Sequence, residues 1–567
     1  MWRGALLLLL CLCTFLLGLG RTAIVDSDEA FYAGAGREMV ASGDWITPHY
    51  NFETRLNKPI LYYWLVAGTF KVGGVTETAA RLWAALSGVG LALLAFLVGR
   101  RWVNDGTGFV AGAIVATSIG VVLLARQALP DIPLALFISL AIWSAIEATT
   151  SHAIGISGAP KTGPHLSRRS WLLVAAASLA LGLITKGPIA IALPVVAVVP
   201  IVVWERFTRR ADGSTATLPL SVLDLAAAAA VFIAIAAPWY VAVTRVHGLD
   251  FLSRFFLHEN LDRFASETFN ERRLPFFYFG VMAGGLLPWT AFGLLVIGPT
   301  RDVLMRRRRL SATTARLLAW VVGPLLLLSA SVGSQPRYIL PCIVPVALLL
   351  GRSIWMRAAE QPAAHRDLLF TSATTLAGAV LVILGALVLR VKPILVGVNP
   401  DWSPIGAFTM IAAGAITIAA ALFGPRRIIP TVVAVASCAT VIAFNATVLR
   451  TGRPEAVEQI AAAIRQQDPA DALCACGAFA RNLTFYTQLP VYVGGNEPEF
   501  QRFLERPGTV LAVLNATELA RIEANLQRQF PRLAAASYLD PELWQGGALL
   551  NPDPALYLKR VVLVSNR

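Results

Sequence analysis

The chain is poor in charged residues. Only 14% of its 567 residues are Asp, Glu, Lys or Arg, against about a quarter in a typical soluble protein. Hydrophobic residues make up 56% of the chain, and the mean hydropathy is +0.63. This composition excludes an ordinary soluble domain and indicates that most of the chain lies in lipid.

Cysteines and nucleotide-binding motifs are also scarce. Six cysteines are too few for a disulfide scaffold. Cys474 and Cys476 lie two residues apart in an apparent strand, where we expect core packing rather than a disulfide bond. The chain has no GxxxxGK[ST] sequence and no GxGxxG between a strand and a helix, which argues against an ATP-driven pump.

The net charge of +14 comes from short basic clusters between apolar segments. This arrangement is typical of membrane orientation rather than of nucleic-acid binding. Basic clusters in alternate connectors are cytoplasmic by the positive-inside tendency. The loops at 21–79, 246–274 and 391–403, and everything after residue 450, are then predicted to lie outside.

Thirteen apolar windows are long enough to cross about 30 Å of hydrocarbon. The first window could also be a signal peptide, but we expect it to be retained. At the breaks around 185–188 and 334–337, the two flanking segments could each form a re-entrant pair instead of two spans. The windows are 4–20, 80–99, 107–125, 131–149, 171–186, 188–204, 219–244, 275–299, 315–333, 337–351, 367–390, 404–423 and 428–449.

The sequence changes character near its end, so we predict a transmembrane domain over 1–452 and an extracytoplasmic α/β domain over 453–567. Short apolar strands are predicted at 473–476, 491–493, 510–514 and 556–564, with an amphipathic helix over 518–529. The first outer loop also has helical spacing, at 28–40 before Gly43 and again at 58–70. We expect both of these to be interfacial helices.

Ionisable residues collect at one membrane face. An ionisable group at membrane depth costs about 2.5–3.5 kcal/mol on insertion. Such residues at helix ends can have a purely structural role, as snorkelling side chains or ion pairs. The alternative is a site for an anionic lipid headgroup, in which cations hold a phosphate and a carboxylate acts as general base. The residues concerned are Asp26, Asp28, Glu29, Lys58, Arg126, Asp131, Lys186, Arg263 and Arg337.

Several motifs resemble one family of enzymes. The string DSDEAFYAGAGREMVASGDWITPHYNFETRLNKPILYYWL is similar to the first extracytoplasmic loop of the aminoarabinose-transferase-like, protein-mannosyltransferase-related glycosyltransferases of the GT-C fold. LPDIPLALF, LITKGP, FFLHENLDRFASE, LLPWTAF and PRYILPCIVP follow in the family's order. The resemblance covers roughly residues 20–350, and it implies an all-α polytopic fold.

The resemblance also implies roles for individual residues. Asp28 is similar to the family's catalytic loop carboxylate, and Asp131 to the second carboxylate of the cavity. The residues expected around the donor's lipid phosphate are Lys58, Arg263, Tyr338 and Lys186. Those expected to support the site are Glu29, Tyr32, Glu259 and Arg337.

The sequence departs from the family at a pair of positions that can hold a metal ion. Relatives tend to carry an acidic residue before the Lys-Pro pair and a histidine after the glutamate of the third motif. Here those positions are Asn57 and Asn260, so we expect no metal and no other cofactor.

The function favoured by these residues is transfer of a sugar from a polyprenyl phosphate to a lipid A-like lipid or a glycan at the outer face of a bacterial inner membrane. A protein O-mannosyltransferase would share the fold and the carboxylate and differ in its acceptor. A transporter or flippase for lipid-linked sugars is less favoured, because its charges would lie near the bilayer midplane in broken helices.

Overall fold

The computed structural model describes residues 2–149, 166–211, 220–262, 265–266, 273–274, 276–297, 310–359, 367–449, 452–467, 472–494, 497–539 and 546–567. Within these ranges, nine helices are long and apolar enough to cross a membrane, or up to eleven if each of two bent helix pairs is one span. Two shorter apolar helices, Trp2–Leu16 and Ile189–Glu205, account for the remaining predicted windows. The fold is therefore the predicted polytopic helical one.

The membrane helices follow the predicted windows in order. The two bent pairs are Asp105–Thr117 with Ile119–Ala125, at 59°, and Phe277–Gly285 with Trp289–Ile297, at 117°. The nine long helices are Glu77–Trp102, Asp131–Thr149, Arg168–Lys186, Val222–His247, Ala312–Ala330, Pro336–Ala359, Leu368–Arg390, Ile405–Phe423 and Arg426–Thr447.

Two helices occupy the loop after the first apolar segment. The first loop helix, Asp28–Ser42, begins at Ser27, whose hydroxyl accepts a hydrogen bond from the Glu29 amide, and ends at Gly43 with φ of 74°. Positive φ is readily available to glycine, which explains this stop. The second loop helix, Leu61–Gly73, packs against the first.

The contact between the loop helices is close because small residues line it. A Cβ atom on Gly36 would lie 2.6 Å from a Val66 methyl group, so the position has no room for a side chain. A hairpin of β1, His49–Tyr50, and β2, Glu53–Thr54, connects the helices. The first loop is therefore a compact folded unit rather than a flexible linker.

The C-terminal region, residues 453–567, contains a mixed sheet whose described strands are β3 Ala472–Cys476, β4 Tyr492–Gly494, β5 Val510–Asn515, β6 Arg532–Leu539 and β7 Leu558–Ser565. Their order in the sheet is β4-β3-β5-β7-β6. The four predicted strands are confirmed, and one strand, β6, was not predicted. Its five buried or half-buried positions do not alternate regularly, so it lacks a clear period-2 signal.

Short helices cover the sheet. They are Ala456–Arg465, Leu483–Thr487, Glu497–Leu504, Ala516–Leu526, Gly547–Leu550 and Pro554–Tyr557. One expectation for this region is wrong: Cys474 and Cys476 form a disulfide bond in the structure. Their Cα atoms are 5.7 Å apart, within the range that a disulfide bond can span, and both side chains are buried.

Candidate active site

A cavity between the first loop and the membrane helices brings together six of the predicted site residues. It also borders apolar side chains of the helices at Ile189 and Leu328. A cavity with ionisable groups at one end and apolar walls suits an amphiphile with a charged head. The six residues are Lys58, Asp131, Lys186, Glu259, Arg337 and Tyr338.

Asp131 lies between two cations in this cavity. Its Oδ1 is 2.5 Å from Lys186 Nζ and 3.6 Å from Arg337 Nε. The Asp131 side chain is only 4% exposed, so the neighbouring cations compensate a charge that burial would otherwise disfavour. Asp131 therefore holds both cations at the cavity wall.

Local sequence places each of these three side chains. Asp131 is the first residue of its helix, where a carboxylate is favoured by the helix dipole. Lys186 is the last residue of its helix, which stops at Gly187 with φ of 94° before Pro188. Arg337 follows Pro336 at the start of a 3₁₀ turn, Pro336–Cys342, that leads into the next membrane helix.

Asp28 joins this group through Arg337. One carboxylate oxygen of Asp28 accepts a hydrogen bond from the Arg337 guanidinium, and 39% of the Asp28 side chain is exposed. Burial by itself raises the pKa of Asp28, but Arg337, then Arg481 and Arg55, more than offset this, so its pKa lies below the ordinary value. Asp28 is thus an ionised, accessible carboxylate at neutral pH.

Lys58 and Tyr338 face the same cavity. Lys58 Nζ is 3.8 Å from a Glu259 carboxylate oxygen, and Lys186 Nζ lies 4.6 Å from the centre of the Tyr338 ring. Lys58, Lys186 and Arg337 thus present three cations to one space. This is the charge arrangement that a phosphate or a phosphodiester requires.

Tyr32 and Glu29 lie behind the cavity. The Tyr32 ring is 5.3 Å from each of the rings of Tyr62 and Tyr63. Burial, followed by Tyr63 and Asp131, raises the pKa of Tyr32 well above its ordinary value, so its hydroxyl stays protonated. Glu29 is fully buried and binds Arg81 through both carboxylate oxygens, at 2.7 and 2.9 Å.

One further predicted residue, Arg126, lies in surroundings different from those expected. Arg126 donates hydrogen bonds to the carbonyl groups of Thr14, Phe15 and Gly18, so it caps the end of the first apolar helix. Arg263, expected at the lipid phosphate, lies outside the described residues.

The residues around Glu259 do not fit a metal ion. Glu259 already faces the Lys58 ammonium, the Asn260 amide group donates to the Phe255 carbonyl oxygen, and His258 pairs with Asp262 at 3.0 Å. In the part of the chain that the structure describes, no three His, Cys, Asp or Glu side chains are grouped as metal ligands. We therefore derive no step through a metal.

Two cations near Asp28 were missed from the sequence. Arg55 lies in the first loop, and Arg481 lies in the C-terminal region; both act on the Asp28 carboxylate. Arg55 lies three residues before Lys58, which only weakly indicates that it belongs to the same site. The position of Arg481 at the site could not be predicted from the sequence, because no local pattern connects it with a loop 450 residues earlier.

Comparisons with known proteins agree with this architecture. A family model described as dolichyl-phosphate-mannose-protein mannosyltransferase matches residues 4–252. The undecaprenyl phosphate-alpha-4-amino-4-deoxy-L-arabinose arabinosyl transferase 2 of Pseudomonas fluorescens is 33% identical over 359 residues, which are 62% of this chain and 56% of that protein. The corresponding transferase of Aeromonas salmonicida is 32% identical over 341 residues, 60% of this chain and 57% of the relative.

The chain thus spans a little over half the length of these curated relatives. Among solved structures, the crystal structure of ArnT from Cupriavidus metallidurans bound to undecaprenyl phosphate has a TM-score of 0.71 at 20% identity. That match covers 99% of this chain and 98% of the other. The chain has this fold, and it resembles the aminoarabinose transferases in sequence.

Proposed function

We propose that this chain is a glycosyltransferase of the bacterial inner membrane that moves a sugar from a polyprenyl phosphate to a lipid A-like acceptor. The observation that carries the proposal is one cavity lined by three cations and two carboxylates, with the Asp28 carboxylate bound to one of those cations. Relatives named as undecaprenyl-phosphate arabinosyl transferases, and an ArnT structure bound to undecaprenyl phosphate, support the donor class.

In the proposed reaction, an acceptor oxygen forms a bond to the anomeric carbon of the sugar. The bond from that carbon to the lipid-phosphate oxygen breaks, and the polyprenyl phosphate leaves with the electron pair. Lys58, Lys186 and Arg337 stabilise the growing negative charge on the leaving phosphate. Asp131 holds two of these cations in position, and the protonated Tyr32 packs behind the carboxylates.

Asp28 is the accessible carboxylate, and it binds the same guanidinium group, that of Arg337, as Asp131. If the acceptor is a hydroxyl group, Asp28 takes up its proton as the general base. If the acceptor is an anionic phosphate, no base is needed, and Asp28 orients the reacting groups through Arg337. In both cases the Arg337 guanidinium holds the pKa of Asp28 below its ordinary value, so the carboxylate is ionised before the acceptor binds.

The test compares Asp28→Asn with Asp28→Glu in a purified transfer assay. For a hydroxyl acceptor, Asp28→Asn slows transfer by about 10²–10⁴-fold, the usual worth of a general base. For an anionic acceptor the loss is smaller, and Asp28→Glu retains part of the rate. Expression level and melting temperature in detergent are the controls. Near-normal turnover of Asp28→Asn would reject Asp28 as the reaction centre and make Asp131 the next candidate.

A second acceptor class is favoured by one observation, the match of residues 4–252 to the protein mannosyltransferase model. In this alternative function the donor site is the same, and the acceptor is a Ser or Thr hydroxyl group instead of a lipid. Mass spectrometry of lipid A and of envelope glycoproteins from a deletion strain separates the two. Loss of a sugar from protein with unchanged lipid A would favour the mannosyltransferase.

A further inference from the structure

The C-terminal region reaches the candidate active site through Arg481. Asp26 Oδ1 accepts hydrogen bonds from the backbone amides of Arg481, at 2.6 Å, and Asn482, at 3.2 Å. The Tyr50 hydroxyl donates to the Arg481 carbonyl oxygen at 2.7 Å. The backbone of Arg481 is therefore fixed to the first loop on both sides, two residues from the Asp28 position.

Two guanidinium groups then meet at one aromatic ring. The Arg55 Cζ atom is 3.8 Å from the centre of the Phe31 ring, and the Arg481 Cζ atom is 5.3 Å from it. Phe31 is three residues after Asp28, so the two side chains share one face of the first loop helix. The arginines are therefore beside Asp28, and both act on its carboxylate.

Neither arginine is neutralised by an ion pair within the described residues. The Nε atom of Arg55 is buried and has no hydrogen-bond partner among them. The Asp28 carboxylate offsets part of this positive charge, but it already accepts a hydrogen bond from Arg337. Two guanidinium groups, with one donor unused, are therefore left to bind a further anion. Since Arg481 and Asp28 are both accessible to solvent, that anion can enter from outside.

We propose that Arg55 and Arg481 form an acceptor subsite that binds an anionic group, a phosphate or a carboxylate, next to Asp28. The C-terminal region thereby completes the acceptor side of the site, while Lys58, Lys186 and Arg337 serve the donor side. This assignment rests on the proposed function. It makes Arg481 a specificity-determining residue supplied by a part of the chain outside the membrane helices.

The test uses the full chain in detergent with a labelled polyprenyl-phosphate sugar donor and two acceptor probes, bisphosphorylated and dephosphorylated lipid A. Arg481→Ala and Arg55→Ala each raise the KM for the phosphorylated acceptor by about tenfold or more, the worth of a charge-assisted hydrogen bond. Donor affinity stays unchanged, and Arg481→Lys recovers part of the loss. If the acceptor oxygen is a hydroxyl group, wild type and variants have the same KM for the dephosphorylated lipid. If it is a phosphate oxygen, that lipid is no substrate, and its affinity measured without donor is the same for wild type and variants.

The matched control is Arg521→Ala, which removes the same charge from an exposed position on the helix Ala516–Leu526. It leaves both the KM for the acceptor and the melting temperature unchanged. An unchanged acceptor KM in both subsite variants would overturn the proposal. An equal loss with both acceptors, together with a lower melting temperature, would also overturn it and assign the arginines a structural role.

A binding measurement without donor separates this proposal from the proposed function. The bisphosphorylated lipid A is titrated into wild type and Arg481→Ala, with inorganic phosphate as a second probe at constant ionic strength. Weaker lipid binding by Arg481→Ala supports the subsite even if wild type transfers no sugar, in which case only the proposed activity fails. Competition by inorganic phosphate identifies the recognised group as phosphate itself; lipid binding that is equal in both proteins refutes the subsite.

Discussion

At the scale of single residues, charge compensation organises the candidate site. Asp131 is almost fully buried, yet it keeps Lys186 and Arg337 within 4 Å of its carboxylate. Arg337 also binds Asp28, so one guanidinium connects two carboxylates that come from different segments. The carboxylates thus hold the cations in place, which lowers the reorganisation needed in the proposed transfer.

Lys58 is expected to contribute to donor binding more than to folding. It faces the cavity at 3.8 Å from Glu259, and its side chain is 14% exposed. Lys58→Ala weakens binding of the polyprenyl-phosphate donor by about tenfold to a hundredfold, because a charged contact to the phosphate is lost. The measurement is donor affinity of the purified protein, with Lys58→Arg expected to retain part of it.

Lys392→Ala is the matched control for this change. Lys392 is exposed at the start of the short helix Lys392–Val398 and does not line the cavity. The control should bind donor like wild type. Normal donor affinity in Lys58→Ala would remove Lys58 from the phosphate site.

At the scale of elements, the first loop helix is attached to the membrane helices by a buried ion pair. Glu29 binds Arg81 near the start of the helix Glu77–Trp102 and also accepts a hydrogen bond from the Ala128 amide, three residues before Asp131. Arg81 in turn donates to the carbonyl groups of Leu19 and Ala23. This network fixes the helix start, and with it the position of Asp28.

Breaking this pair should destabilise the protein. Glu29→Gln leaves the Arg81 charge buried without its carboxylate, at a cost of about 3–5 kcal/mol. We expect a lower melting temperature in detergent and a parallel loss of transfer. Asp28→Asn, one residue away, should lose transfer with little change in melting temperature.

Glu53→Gln provides the charge-matched control, since Glu53 is exposed in the hairpin of the same loop. It should leave the melting temperature unchanged. A Glu29→Gln protein as stable as wild type would show that the ion pair does not hold the loop helix.

At the scale of the whole molecule, the orientation in the membrane remains a prediction from the basic clusters. It places the first loop and the C-terminal region on the same outer side. The contacts of Asp26 and Tyr50 with Arg481 require these two parts to be on one side, which agrees with that orientation.

Reporter fusions test the orientation directly. Alkaline phosphatase folds into its active form only outside the cytoplasm. A phosphatase fused after Arg567 should therefore be active, and one fused at residue 309 should be inactive. Expression of both fusions is checked by immunoblot. The reverse pattern would place the candidate site on the cytoplasmic side and contradict the proposed acceptor.

Local sequence patterns are enough to locate most of the helices and strands. Apolar windows located the membrane helices, and Gly43 marked the end of the first loop helix. Four of the five strands in the C-terminal sheet were also located. These features depend on local patterns, because helix caps and hydrophobic periodicity act between neighbouring residues. The motif resemblance then selected Asp28, Asp131 and the donor-side cations.

Long-range packing sets which charged side chains meet. Arg337 contacts Asp28 across 309 positions of the chain, and the Arg481 amide reaches Asp26 across 455. The tertiary structure also gives two adjacent carboxylates different environments: Glu29 is buried against Arg81, whereas Asp28 stays accessible to solvent. Sequence spacing carries no information on such distances, because the packing of distant helices, rather than any local pattern, brings these side chains together.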